Sequence, residues 1–141
     1  MLRTLFLFAL LAGTPAKTDF PAGILGAYSG SLLASGYDMP VETRFFMGDG
    51  ELVGEYMMDE NGTLTAGTLT DITVAGPLTI ECVWHDIYGS GPASFTFSED
   101  LLTFAGWWST ADGTEEYYWR GSRAGSLPVQ SPRENAITER K

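Results

Sequence analysis

The sequence has very few of the residues on which metal and redox sites depend. It contains one cysteine, Cys82, and one histidine, His85, among 141 residues. A single cysteine excludes an intramolecular disulfide, and this pair needs two carboxylates to complete a zinc tetrahedron. Cys82 and His85 also have opposite parity on an extended strand, so they point to opposite faces of a sheet. We therefore expect no metal site and no cofactor.

Motifs for nucleophilic catalysis and phosphate binding are missing as well. The chain has no Gly-x-Ser-x-Gly elbow and no glycine-rich phosphate loop. His85 is followed directly by Asp86, and adjacent residues on a strand face opposite ways, which is poor geometry for a catalytic pair. A hydrolase built around His85 is the least favoured function. We expect no catalytic residue and no enzymatic activity.

Basic residues are scarce. Eight Lys and Arg stand against 18 Asp and Glu, which gives a net charge of −10. Such a surface repels the phosphates of nucleic acids and the headgroups of anionic lipids. We therefore expect neither a nucleic acid nor a membrane as partner. The oligomeric state is not predicted by any pattern in the sequence.

One apolar run stands at the N-terminus. Arg3 precedes apolar residues 5–12, and small residues follow at 13–16. This order predicts a secretory signal peptide over residues 1–16, with an apolar part too short to span a bilayer. Cleavage after Ala16 leaves seven Lys and Arg against 18 acids, a net charge of −11. The predicted location of the protein is secreted or periplasmic.

The body of the chain, residues 22–123, lacks a sustained 3.6-residue apolar period and instead shows short alternating segments between turn residues. Hairpin turns with positive φ are predicted at residues 48–50, 59–62 and 111–113. The short links predict an all-β, eight-stranded antiparallel up-and-down meander, whose closure into a barrel removes exposed edges. The strands are predicted at residues 25–33, 41–47, 51–58, 64–65 running on to 69–74, 78–85, 93–98, 102–109 and 115–122. Residues 124–141 are polar, contain two prolines and are predicted to form a disordered tail.

A Gly-x-aromatic step recurs along the chain, as in Gly26-Ala27-Tyr28 and Gly54-Glu55-Tyr56. The glycine and the ring are two residues apart, so they share one face of a strand, and the repeat predicts a sheet curled tightly around a packed interior. Segment 41–47 is ambiguous, because Phe45 and Phe46 point opposite ways. Period-two counting places six aromatic side chains inside: Tyr28, Tyr56, Trp84, Phe95, Trp108 and Trp119.

Two functions stay open for such an interior. An eight-stranded barrel is just wide enough to be filled by side chains or to hold one small ligand. In the first hypothesis, the protein binds a small, largely apolar ligand within the six aromatic side chains named above. In the second, the barrel is solid and serves as an extracellular structural or protein-interaction module, with outward aromatics such as Trp107 and Tyr118 as its contacts.

Residues 51–123 resemble a widespread, poorly characterised bacterial domain of secreted proteins. The resemblance lies in residues 54–56 (Gly-x-Tyr), 95–98 (Phe-x-Phe-Ser), 104–108 (Phe-x-Gly-x-Trp) and 119–123 (Trp-x-Gly-x-Arg). The chain departs from that pattern at Cys82, where the family has a glycine before the residue that is Trp84 here. This resemblance implies a small β-barrel and no known chemistry.

More loosely, the chain resembles lipocalin-like and avidin-like barrels of the calycin type. Those proteins place Gly-x-Trp on the first strand and often an arginine near the end of the last, where it lies across that ring. Tyr28, after Gly26, and Arg123 are similar in kind, with tyrosine where tryptophan is usual. The resemblance implies a barrel with a ligand cup, in which Arg123 is a structural latch. The biotin contacts of avidin-like proteins do not map onto this chain, so biotin binding is not expected.

Overall fold

The structure, a computed structural model, describes residues 20–123. The predicted signal peptide and C-terminal tail therefore lie outside the described residues. Eight antiparallel strands follow one another in sequence order around a closed barrel, in which β1 pairs with both β2 and β8. The predicted eight-stranded meander barrel is confirmed. Its strands are β1 (Gly26–Ala34), β2 (Tyr37–Gly48), β3 (Glu51–Glu60), β4 (Thr63–Val74), β5 (Thr79–Asp86), β6 (Gly89–Phe97), β7 (Thr103–Trp108) and β8 (Tyr117–Arg123).

The meander gives the barrel two different ends. One end carries the connections after β1, β3, β5 and β7, and we call it the open end. The other carries the connections after β2, β4 and β6, together with a 3₁₀ turn at Ala22–Ile24 that precedes β1. We call this the closed end. Within residues 20–123, no helix has both the length and the apolar character needed to cross a membrane.

Three two-residue turns have both central residues at positive φ, the conformation that matches the twist of a hairpin. They are Ser35-Gly36, Asp49-Gly50 and Asn61-Gly62. The predicted hairpins at 48–50 and 59–62 are thereby confirmed. A turn does form at 110–113, where the Gly113 amide donates to the Thr110 carbonyl at 3.0 Å. The predicted positive φ is wrong there, because this turn lies within a longer connection from β7 to β8 and is not a two-residue hairpin turn. The sequence pattern did not predict the β1–β2 turn, because Pro40 interrupts the alternation there. In the structure, Pro40 occupies an exposed position of β2.

The barrel closes where β1 meets β8, and the two backbones approach closely there. Gly30 of β1 is the register partner of Gly121 of β8. A Cβ atom on Gly30 would fall well inside van der Waals contact with the carbonyl oxygen of Arg120. Only glycine fits at position 30 of this seam.

Inward side chains fill the barrel at the closed end. The alternation that was ambiguous in β2 is resolved, since Phe45 is 1% exposed and Phe46 is 39% exposed. Neighbouring rings meet mostly edge to face, with centroids 5.0–6.4 Å apart, an arrangement that contributes about 0.5–1.5 kcal/mol per pair beyond area burial. This solid cluster consists of Tyr28, Phe45, Phe95, Phe97 and Phe104.

Arg123 lies across the Tyr28 ring at the closed end, in the position that the calycin-type resemblance implies. Its guanidinium carbon lies 4.6 Å from the centroid of the Tyr28 ring, and Nη2 donates to the Tyr28 hydroxyl at 2.7 Å. The same side chain donates to the carbonyl oxygens of Leu101 at 2.9 Å, Leu25 at 3.0 Å, and Gly23. One cation therefore joins β8, β1, the 3₁₀ turn and the β6–β7 connection.

Replacing Arg123 with methionine should destabilise the protein by about 2 kcal/mol or more. The substitution removes the cation over Tyr28 and the guanidinium donor of three carbonyl groups, of which that of Leu101 keeps only a 3.4 Å hydrogen bond from the Tyr28 hydroxyl. The matched control is Arg44→Met, which breaks an exposed ion pair to Glu55 (2.6 Å) and should cost less than about 1 kcal/mol. Urea unfolding of both variants measures the difference. An equal loss of unfolding free energy in the two variants would show that Arg123 does not act as a structural latch.

Candidate ligand cup

A cavity of about 280 Å³ occupies the interior at the open end of the barrel. Its volume lies just below the range of about 300–1,000 Å³ that is usual for ligand pockets. The barrel is thus solid in one half and hollow in the other. The cavity is lined by Leu32, Ala34, Ser35, Tyr56, Met58, Glu60, Trp84, Asp86, Tyr88, Trp108 and Trp119.

Four of the six aromatic residues predicted to bind a ligand line this cavity: Tyr56, Trp84, Trp108 and Trp119. Their contact with a ligand stays a prediction. Tyr28 and Phe95 do not line it. Tyr28 stands near the start of β1, under Arg123 at the closed end. Phe95 is fully buried within the solid cluster. Alternation along a strand gives the face on which a residue lies but not its height in the barrel.

The indole rings of the cup are fixed by their own N–H groups. Each Nε1 donates to an acceptor on a neighbouring part of the chain: Trp84 to the Ser109 carbonyl (2.8 Å), Trp108 to the Leu33 carbonyl (2.9 Å) and Trp119 to the Thr43 hydroxyl (3.0 Å). Buried indole N–H groups need such partners. The orientation of these rings is therefore fixed, and they line the cavity with apolar carbon atoms.

Trp119 forms the floor between the hollow and solid halves. Its ring meets Phe95 of the solid cluster edge to face at 5.0 Å and Tyr56 of the wall at 4.9 Å. Tyr56 in turn lies across Gly67, its register partner on β4. A Cβ atom on Gly67 would overlap the Tyr56 ring and its hydroxyl, so the bare backbone there sets the position of this wall.

Two carboxylates, Glu60 and Asp86, stand among the aromatic walls. The Tyr56 hydroxyl donates to Asp86 Oδ2 at 2.7 Å, and the Tyr88 hydroxyl donates to Glu60 Oε1 at 2.9 Å. Burial, together with the hydrogen bond to Asp86 and its charge, raises the pKa of Tyr56 far above its usual value. The hydrogen bond to Glu60 raises the pKa of Tyr88. Both hydroxyls therefore keep their protons and act as neutral donors at ordinary pH.

The sequence analysis did not place Glu60 and Asp86 inside the barrel, although the alternation of inward residues along β3 and β5 indicates it. Glu60 continues the inward series of β3 through Tyr56 and Met58, and Asp86 continues that of β5 through Trp84. Glu60 was assigned to the predicted turn at 59–62, and Asp86 was considered only as the neighbour of His85, just beyond the predicted strand 78–85. Each lies two residues beyond an inward residue, Met58 or Trp84, so continued alternation would have placed both at the mouth of the barrel.

Exposed apolar side chains gather around the same mouth. The four most exposed large apolar residues of the described chain are Tyr37 (70%), Leu64 (63%), Ile87 (79%) and Tyr88 (64%). Tyr37 and Leu64 stand at the beginnings of β2 and β4, and the other two form the β5–β6 turn. All four therefore surround the entrance to the cup.

His85 and Cys82 lie apart from the cup. The His85 ring is on the outer face, where Nε2 lies 2.8 Å from the Thr70 hydroxyl. The Cys82 thiol is buried in the core, and burial raises its pKa to about 12, so it stays protonated at neutral pH. Over residues 20–123, no group of three or more His, Cys, Asp or Glu side chains is placed to hold a metal ion.

No protein-family model matches the chain, and comparison with curated proteins gives no match. The resemblance to the bacterial secreted domain stays a prediction. Of the looser resemblance to calycin-type proteins, the structure confirms the closed eight-stranded antiparallel barrel.

Replacing Gly67 with alanine should destabilise the protein by about 1–3 kcal/mol and disturb the cup. The new methyl group overlaps the Tyr56 ring, which can move only by displacing its contact with Trp119. Gly76→Ala is the matched control, because a Cβ atom there makes only ordinary contact with Thr79, 3.7 Å away. Urea unfolding followed by tryptophan fluorescence measures both effects. An unchanged spectrum and midpoint in Gly67→Ala would contradict this role.

Proposed function

We propose that the protein is a secreted or periplasmic binding protein that holds one small, largely apolar ligand in the cup at the open end of its barrel. The observation that carries the proposal is the contrast between the two halves of one interior. Rings fill the closed end, whereas about 280 Å³ is left unfilled at the open end. A protein core of this size ordinarily contains few voids larger than a water molecule.

The fixed walls support binding rather than mere loose packing. Trp84, Trp108 and Trp119 are each held by an indole hydrogen bond, so the cavity keeps its shape without an occupant. Preorganised walls lower the entropy cost of binding, because fewer side chains are immobilised when the ligand enters. Flat aromatic surfaces also supply much apolar contact area to a small molecule.

The outward aromatics favour the ligand hypothesis over the interaction module. Trp107 and Tyr118 are register partners across β7 and β8, and both are half-buried. The guanidinium carbon of Arg120 lies 4.8 Å from the centroid of the Tyr118 ring. Neither ring is among the exposed large apolar side chains of the described residues, and the four most exposed of those surround the mouth of the cup.

Titration with 2-phenylethanol, a neutral amphiphile of suitable size, should quench or shift tryptophan fluorescence saturably. Ala34→Phe should abolish this response, because Ala34 lines the cavity and the added ring occupies it. The matched control is Ala27→Phe on the outward face of the same strand, which should bind as the parent does. Isothermal titration calorimetry gives the affinity independently. Binding that survives in Ala34→Phe would place the ligand elsewhere, and no binding of this probe or of similar small apolar alcohols would overturn the proposal.

The export part of the proposal has its own test. Expression of the full chain in a bacterial host with an intact secretion pathway should give a periplasmic or secreted product that begins at Lys17, because the small residues before it form the cleavage site. Mass spectrometry of the purified product reads the N-terminus. A cytosolic product that retains Met1 to Ala16 would contradict this location.

A further inference from the structure

We infer that the ligand of the cup is a small organic ammonium ion, a cationic amine carried on an apolar body. This inference rests on the proposed function and names the chemical class of its ligand. It comes from the two carboxylates among the aromatic walls, which the purely apolar interpretation leaves without a role.

The charges of Glu60 and Asp86 are not compensated by the described part of the chain. Each carboxylate accepts hydrogen bonds from neutral groups, the Tyr88 and Thr65 hydroxyls for Glu60 and the Tyr56 hydroxyl and Tyr88 amide for Asp86. Residues 20–123 contain three arginines and no lysine. The arginines contact other partners: Arg44 pairs with Glu55, Arg120 with Asp38, and Arg123 forms the latch at the opposite end.

Apart from the hydroxyl of Ser35, the side-chain hydrogen-bonding capacity left in the cup is that of acceptors. The indole N–H groups of its three tryptophans and the hydroxyl protons of Tyr56 and Tyr88 are already donated to other groups. Carboxylate oxygens have room for further donors after these bonds are made. A ligand that brings N–H donors and positive charge therefore satisfies the site, whereas a carboxylate ligand meets like charge.

The aromatic walls favour the same charge. The face of an indole or phenol ring is electronegative and attracts ammonium groups, most strongly when water is excluded. Tyr56 and Trp84 are at most 7% exposed, so the interior of the cup is largely shielded from solvent. The chain's excess of acids adds a negative field that draws cations toward such a cleft. In the bound state, the apolar body packs on Trp84, Trp108 and Trp119, and the ammonium group lies beside Glu60 and Asp86.

Three probes that share one aromatic body test the charge: 2-phenylethylammonium, 2-phenylethanol and phenylacetate, titrated at neutral pH by calorimetry. The ammonium ion should bind about tenfold or more tightly than the alcohol, and phenylacetate more weakly than either. Added salt should weaken ammonium binding and leave alcohol binding nearly unchanged. If the alcohol binds and the ammonium binds no better, the inference is overturned and the proposed function stands. If none of the three binds, both fail.

Matched variants test whether Glu60 and Asp86 cause the preference for the ammonium ion over the alcohol. The double variant Glu60→Gln, Asp86→Asn keeps hydrogen-bond acceptors for Tyr88 and Tyr56 but removes both charges, so it should reduce the preference for ammonium over alcohol to about twofold or less. Binding of the alcohol should persist, which shows that the cup is still folded. The control Glu51→Gln removes one charge from the opposite end of β3 and should keep the preference. A preference that survives in the double variant would overturn the role of these acids.

Discussion

Closure of the sheet between its first and last strands is the constraint on which the rest of the structure depends. The seam is made by backbones that approach closely at Gly30 and Gly121, and it is held at one end by Arg123 across Tyr28. Without closure, β1 and β8 would be exposed edges, and the inward rings would have no opposite wall to pack on. The latch also joins the 3₁₀ turn to the barrel, which seals that end.

The division of the interior into a solid half and a hollow half follows from where the large rings stand along the barrel axis. Phenylalanines and Tyr28 meet at the closed end and fill it, and Trp119 ends this packing in mid-barrel. Beyond Trp119, the indole N–H groups of Trp84 and Trp108 donate to carbonyl oxygens in the β7–β8 connection and in β1. These two rings line the cavity and do not fill it.

The same space joins apolar contact with negative charge. Tyrosine hydroxyls orient Glu60 and Asp86 without neutralising them, and the surrounding rings exclude water from the deeper part of the cup. Glu60 and Asp86 themselves are half-buried at the mouth of the cup. Apolar surface and negative charge are therefore supplied by different residues of one small cavity.

The amino-acid sequence by itself determined the eight-strand meander, two of its tight turns, the inward face of most strands and the pairing of Arg123 with the first-strand ring. These features depend on local periodicity, on turn chemistry and on one family-like motif. Local signals failed at two turns. Pro40 obscured the β1–β2 turn, and the turn at 110–113 forms without positive φ because it lies within a longer connection. Only the tertiary structure decided which inward rings meet, that Tyr28 and Phe95 belong to the solid half, and that Glu60 and Asp86 face the cup. The physical reason is that alternation fixes a side chain's face, whereas its height in the barrel depends on the register of every strand with its neighbours.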